Sequence, residues 1–239
     1  MKVEIIKCLE DNYSYLIIDE KTNNACVVDP SEHEPIINFV ENYNIKLKFI
    51  LNTHHHYDHV GGNKELKKIY GAKVIGFKKD KERIPEIDIL LEDNQIWKYE
   101  NFESKIMHIP GHTTGHICFY FPKNKIVFTG DTLFSLGCGR IFEGTYEQMY
   151  NSLNKLKKLP KDTKIYCGHE YTLKNSLFCS EHDPYNKNLE KKISKIKLQL
   201  KKELPTIPST IDEELACNIF LRAKNLKDFS KLRDLKDNF

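Results

Sequence analysis

The chain lacks any C-x-x-C pair. Its cysteines, Cys8, Cys26, Cys118, Cys138, Cys167, Cys179 and Cys217, are odd in number and scattered, which excludes a disulfide framework and a thiolate zinc ribbon. Reduced thiols, as in a cytosol, are expected. Long apolar runs are missing too: no stretch approaches the roughly 20 residues that a membrane-spanning helix needs. From Met1 to Ile18 the apolar residues are interrupted by Glu4, Glu10 and Asp11, so neither a signal peptide nor an arginine-rich transit peptide is indicated. The expectation is a chain that begins directly with folded protein, soluble and cytoplasmic, with no membrane partner. An excess of one charge is also absent. Lys and Arg number 37 against 34 Asp and Glu, a balance too even to imply nucleic-acid binding. No internal repeat and no low-complexity tail occur.

What is present is 239 residues, 40% hydrophobic and 30% charged, enough for one large domain or two modest ones with a solvated surface. Short β-rich runs alternate with turns at Val3 to Ile6, Tyr13 to Ile18, Ala25 to Val28, Leu47 to Leu51, Lys73 to Phe77, Lys105 to Ile109, Ile117 to Phe121 and Ile126 to Thr129. Helical patterning interrupts them at Pro35 to Tyr43 and Asn63 to Tyr70, and after Thr145, which has capping-box spacing to Gln148. Strands mixed with helices in this way suggest helices covering sheets. No strand pattern follows Cys167. Asn188 to Leu204 has helical spacing, Thr210 with Glu213 restarts a helix as a capping box, and a last short helix is expected to begin near Ser230. The final 70 or so residues therefore read as a small helical unit.

The most informative residues are Thr53-His54-His55-His56-Tyr57-Asp58-His59, directly after the apolar run Lys48 to Leu51. A strand ending in a turn holds alternate side chains on one side. His54 and His56 can then converge on one metal while Asp58 and His59 reach a second, and His55 points elsewhere. His112, Asp131 and His169 each follow an apolar β-run and a glycine, which puts them at the rim of a sheet, able to face the same opening. Imidazole and carboxylate ligands favour zinc, iron or manganese, and the metal's identity stays open among those three. Five histidines and two aspartates suffice for two three-ligand sets and one bridging carboxylate. His33, His55, His108, His116 and His182 are read as solvated or capping residues.

The pattern H-x-H-x-D-H from His54 to His59, followed by His112, Asp131 and His169, resembles the metallo-β-lactamase superfamily over about residues 1 to 170. Within it, PGHTTGH (Pro110 to His116), GDTLFSLGCGRIFEG (Gly130 to Gly144), CGHEYT (Cys167 to Thr172) and the ending Arg233 to Phe239, RDLKDNF, are similar to glyoxalase II, the hydroxyacylglutathione hydrolases. The resemblance implies an α+β fold, a four-layer α/β/β/α sandwich with a small C-terminal helical domain. Residues 1–170 would be the catalytic domain and 171–239 the substrate-binding one. It implies His54, His56 and His112 on a first metal, Asp58, His59 and His169 on a second, and Asp131 bridging them. The glutathione-binding positions map onto Arg140, Phe142, Tyr171, Arg233 and Lys236. Arg140 stands where the family can have Lys, and Phe142, which cannot donate a hydroxyl hydrogen bond, where it can have Tyr. Basic residues suit a tripeptide with two carboxylates, and Arg233 and Lys236, three apart, share a helix face.

The function so implied is thioester hydrolysis of S-D-lactoylglutathione to D-lactate and glutathione, part of methylglyoxal degradation, by a monomeric enzyme with two divalent ions, zinc first among them. Asp58 and Asp131 would orient a metal-bound hydroxide. Cys138, flanked by glycines with no base evident, is read as structural. The rival is a glutathione persulfide dioxygenase with a single iron at His54, His112 and Asp131. β-Lactamase and nuclease activities are more distant rivals, and a non-catalytic binding module would be expected to have lost a ligand.

Overall fold

Apolar β-runs separated by short turns become strands in the computed structural model, which describes residues 1–239 and divides them into two units. The first comprises Met1–His108 with Gly115–Asn124, the second Ile109–Thr114 with Lys125–Phe239.

In the first unit, β1 (Lys2–Cys8), β2 (Asn12–Ile18) and β3 (Asn24–Val28) form an antiparallel meander. After α1 (Glu34–Asn42) the chain returns as β4 (Lys46–Leu51), parallel to β3. After α2 (Tyr57–Val60) and α3 (Asn63–Tyr70) it returns again as β5 (Lys73–Phe77), and β6 (Ile87–Leu91) continues the parallel order. The sheet order is β1-β2-β3-β4-β5-β6. Leu16, Val27, Leu47, Ile50 and Val74 of the strands pack with Ile36 and Val40 of α1 and Leu66 of α3. Burial of each such side chain contributes roughly 1.5–3 kcal/mol. The crossovers matter for function because β3 and β4 end in register, Val28 opposite Leu51. Asp29 and the Thr53 to His59 turn therefore leave neighbouring carboxyl ends of parallel strands, where open α/β sheets place their ligands. Strands β7 (Ile96–Tyr99), β8 (Phe102–His108) and β9 (Ile117–Phe121) form a second antiparallel meander. Trp97 and Tyr99 meet Phe49 of β4 edge-on at centroid distances of 5.1 and 4.7 Å.

In the second unit β10 (Ile126–Gly130) is followed by the two-residue strands β11 (Leu133–Phe134) and β12 (Gly137–Cys138), which pair with each other. Helix α4 (Tyr146–Leu156) starts with the expected capping box, Thr145 and Gln148 reciprocally bonded. Strand β13 (Lys164–Cys167) pairs parallel to β10 with Gly130 opposite Cys167, so Asp131 and His169 leave adjacent strand ends. Helices α5 (Thr172–His182) and α6 (Lys187–Lys201), strand β14 (Ser209–Thr210), α7 (Ile211–Cys217) and α8 (Leu226–Asp237) complete the chain. Buried Phe178, Phe220 and Phe229 pack ring on ring among these helices. No helix is long and apolar enough to cross a membrane.

Three expectations need correction. A strand does follow Cys167: β14 pairs antiparallel with β13 over two residues, too short to leave an alternation in the sequence. The last helix begins at Leu226, where the Asn225 side chain accepts from the Asp228 amide, rather than near Ser230. Thr210 caps α7 by accepting from the Glu213 amide; that bond is one half of the box that was read.

Candidate metal centre

Asp29 organises the candidate ligands of the first unit. It lies just past β3 in the left-handed region, φ 48°. One of its carboxylate oxygens accepts from the Thr53 amide at 2.7 Å. The other takes the Thr53 hydroxyl at 2.6 Å and faces His59 Nδ1 at 3.1 Å. A carboxylate can only accept, so His59 Nδ1 carries the proton and its Nε2 presents a lone pair. That Nε2 lies 3.6 Å from Asp58 Oδ2. The same relay reaches His54. The Thr53 hydroxyl gives its hydrogen to Asp29, so it accepts from His54 Nδ1 at 3.0 Å, again leaving Nε2 as the basic atom. Asp58 is held by Asn12, whose Nδ2 donates to its carboxylate and its carbonyl at 3.0 Å each. His54 and His56 rings stand 4.8 Å apart at 75°, as alternation on the turn requires.

The second unit repeats the pattern. His112 Nδ1 donates to the Arg140 carbonyl at 2.8 Å, which turns its Nε2 lone pair toward Asp131 Oδ2 at 3.6 Å. His169 Nε2 is 3.3 Å from the same oxygen. Gly139 permits the loop to close here, because a Cβ on it would collide with the Asp131 carbonyl and crowd His112 Nδ1. Tyr171 stacks on His169 at 4.7 Å and 4°, and Phe142 meets His112 edge-on at 5.2 Å.

In both units, then, an imidazole whose Nδ1 proton is committed to a fixed acceptor turns a lone pair toward a carboxylate oxygen. Lone pair against anion is repulsive unless a proton or a metal cation lies between them, and fixed acceptors on Nδ1 of this kind also orient and strengthen histidine ligands. The donor set fits borderline divalent ions. Asp29, His54 and His59 also bring one ligand atom each within 4.8 Å of one another. The Asp29 oxygens, however, are already occupied by Thr53 and His59.

The substrate positions differ in exposure. Arg140 and Phe142 are exposed and Tyr171 is half-buried. Arg233 is 4% exposed. It donates from Nη1 to the Cys138 carbonyl at 2.8 Å and from Nη2 to Asp237 at 2.9 Å. Asp237 also accepts from Arg140 Nε at 3.3 Å. Lys236 Nζ, buried without a hydrogen-bond partner, lies over the Phe178 and Phe239 rings at 5.0 and 4.7 Å. Burial and the nearby Arg233 and Lys174 charges push its pKa down to about 8. Cys138 is buried, and burial raises its thiol pKa, which disfavours a thiolate nucleophile.

A family model described as metallo-beta-lactamase superfamily matches residues 10–92 and 100–169, and one described as hydroxyacylglutathione hydrolase C-terminus matches 170–239. A hydroxyacylglutathione hydrolase from Pelagibacter ubique is 69% identical over 239 residues, covering 100% of both chains. The chain belongs to the hydroxyacylglutathione hydrolase family. A cytoplasmic hydroxyacylglutathione hydrolase of Arabidopsis thaliana is 46% identical over 93% of this chain and 88% of its own. The crystal structure of ETHE1 from Myxococcus xanthus, 24% identical with a TM-score of 0.75 over 98% of this chain and 90% of that one, shares the fold. The fold is thus that of the metallo-β-lactamases, and a family with such His and Asp groups binds divalent metal.

Within this hydroxyacylglutathione hydrolase framework several residues were not singled out from the sequence. Asn12 and Asp29 grip Asp58 and His59 from 46 and 30 positions away, so no local spacing marks them. His116, read as solvated or capping, is instead fully buried and stacks on His54 at 4.6 Å and 19°. His108 lies on the Phe77 ring at 4.6 Å, and His182, exposed, meets Phe178 edge-on at 4.4 Å. His33 stands at the N-cap of α1 without a side-chain cap bond.

Proposed function

We propose that the chain hydrolyses S-2-hydroxyacylglutathione thioesters, S-D-lactoylglutathione foremost, to the hydroxy acid and glutathione, as a monomer. The observation that carries this reading is the match over residues 170–239. The metal-ligand pattern belongs to the fold at large, whereas this segment is described by the hydrolase's own C-terminus. The boundary between the two family matches, at residues 169 and 170, supports a catalytic part over 1–170 and a substrate-binding part over 171–239.

His54, His56 and His112 would hold one divalent ion and Asp58, His59 and His169 another, with Asp131 serving both; zinc suits this set, as do iron and manganese. Ions bound there supply hydroxide at neutral pH and polarise a carbonyl. Asp29 and the Arg140 carbonyl keep the Nδ1 protons of His59 and His112 in place, so that Nε2 remains the ligand atom. Asp58 and Asp131 orient the attacking water with their carboxylate oxygens. The departing thiolate has a conjugate acid of pKa about 8.5, so no side chain need protonate it. Arg140 and Lys236 meet the carboxylates of glutathione and Tyr171 and Phe142 flank it, while Arg233, expected from the sequence to share in that contact, is buried and acts through the Cys138 carbonyl and Asp237 that it holds.

Incubation with S-D-lactoylglutathione should release thiol in step with loss of the thioester. Consumption of oxygen with glutathione persulfide, without thioester turnover and with one iron per chain, would replace this reading by a dioxygenase.

A further inference from the structure

Asp80 lies at the end of a single 3-10 turn, Lys78–Asp80, that follows β5, and its side chain is completely buried. Taking a carboxylate out of water costs several kcal/mol unless partners compensate. Arg83 supplies Nε at 3.1 Å and Nη2 to its Oδ1. Its Oδ2 faces His55 Nδ1 at 3.3 Å, and Arg83 Nη1 lies 3.4 Å from His55 Nε2. A guanidinium only donates. His55 Nε2 is therefore the acceptor, and Nδ1 carries the hydrogen toward Asp80. The ring is fixed at both nitrogens. His55 stands between His54 and His56 on a turn where alternate residues face opposite ways, so fixing it sets the direction of its two neighbours.

Asp80 also meets the other flank of His54. A Cβ on Gly115 would fall on the Asp80 carboxylate. The segment that glycine begins continues into His116, stacked on His54, and into Ile117, whose amide donates to the Thr53 carbonyl at 2.9 Å.

We propose that Asp80, braced by Arg83, is a positioning residue that clamps the metal-binding turn through His55 on one side and the Gly115–Ile117 segment on the other, and thereby sets metal affinity without touching metal. The inference rests on the metal reading above. Its test is competition for zinc against a chromophoric chelator, with thermal unfolding of the metal-free protein measured alongside. Asp80→Asn and His55→Leu should each weaken zinc binding tenfold or more, the range typical of outer partners, with KM for lactoylglutathione unchanged. His55→Asn, whose amide nitrogen can stand where Nδ1 stood, should restore most of the affinity. Equal loss in His55→Leu and His55→Asn, or unchanged affinity in His55→Leu, would overturn the clamp. So would a fall in metal-free stability alone. Should Asp80→Asn not fold, the His55 pair decides, since that side chain is already partly exposed. A wild-type chain that takes up no zinc removes the metal reading itself and the clamp with it, whereas zinc held equally by every variant removes only the clamp.

Discussion

A lysine with its ammonium over two phenylalanine rings and no hydrogen-bond partner has its donors uncommitted, as the carboxylate binding proposed for it requires. Lys236, held down to about pKa 8 by burial first and then by Arg233 and Lys174, loses its proton in a range where an ordinary lysine, pKa about 10.4, keeps it. KM for lactoylglutathione should therefore rise as pH climbs through about 8, and Lys236→Arg, charged throughout, should flatten that rise. Stability moves the other way. Between about pH 8 and the unfolded value the unfolded chain binds a proton that the folded chain does not, so this group's contribution to stability increases with pH. A KM profile identical in wild type and Lys236→Arg would remove Lys236 from the binding of carboxylate. At this scale the proposed ligands stand out in the sequence because His54 to His59 compresses four of them into one turn, and because glycines mark His112, Asp131 and His169 at strand ends. Asn12, Asp29 and Asp80 were not, because a hydrogen bond to a residue 25 or more positions away leaves no trace in local spacing.

At the scale of elements, α8 places its two basic candidates in settings that its sequence does not separate. Arg233 and Lys236 are three apart, yet Arg233 is buried and spends Nη1 on the Cys138 carbonyl and Nη2 on Asp237. Arg140, on the same Asp237, is exposed. Arg233→Ala should leave the Cys138 carbonyl unpaired and cost about 1–3 kcal/mol, lowering the melting temperature of the metal-free protein by roughly 2–4 °C per kcal/mol. Arg140→Ala should leave that temperature unchanged and raise KM. Equal melting temperatures in the two variants would mean that the buried contact contributes nothing. Elements were readable where burial made a short run nearly continuously apolar or gave a helix its period: Lys73–Phe77 and Ile117–Phe121 of the first kind and Asn63–Tyr70 of the second have the bounds expected of them. Strands β6 and β7 went unread because β6 is partly exposed without alternation and β7 has only 4 residues, with the apolar Ile96 on its exposed side. The start of α8 was missed because Asn225 caps it from within a polar stretch.

At the scale of the whole molecule the proposed ligands, His54, His56, Asp58, His59, His112, Asp131 and His169, are spread along more than a hundred residues of chain, so the bound ions tie distant parts of the sequence to the folded state. Metal that binds the folded chain and not the unfolded one stabilises by mass action, about 4 kcal/mol for each ion at a free concentration a thousand times its dissociation constant. At roughly 2–4 °C per kcal/mol for a chain of this size, two zinc ions should raise the melting temperature by well over 10 °C. Chelated protein should recover it on addition of two equivalents of zinc. Asp131→Ala, which removes the carboxylate assigned to both ions, should abolish most of the rise.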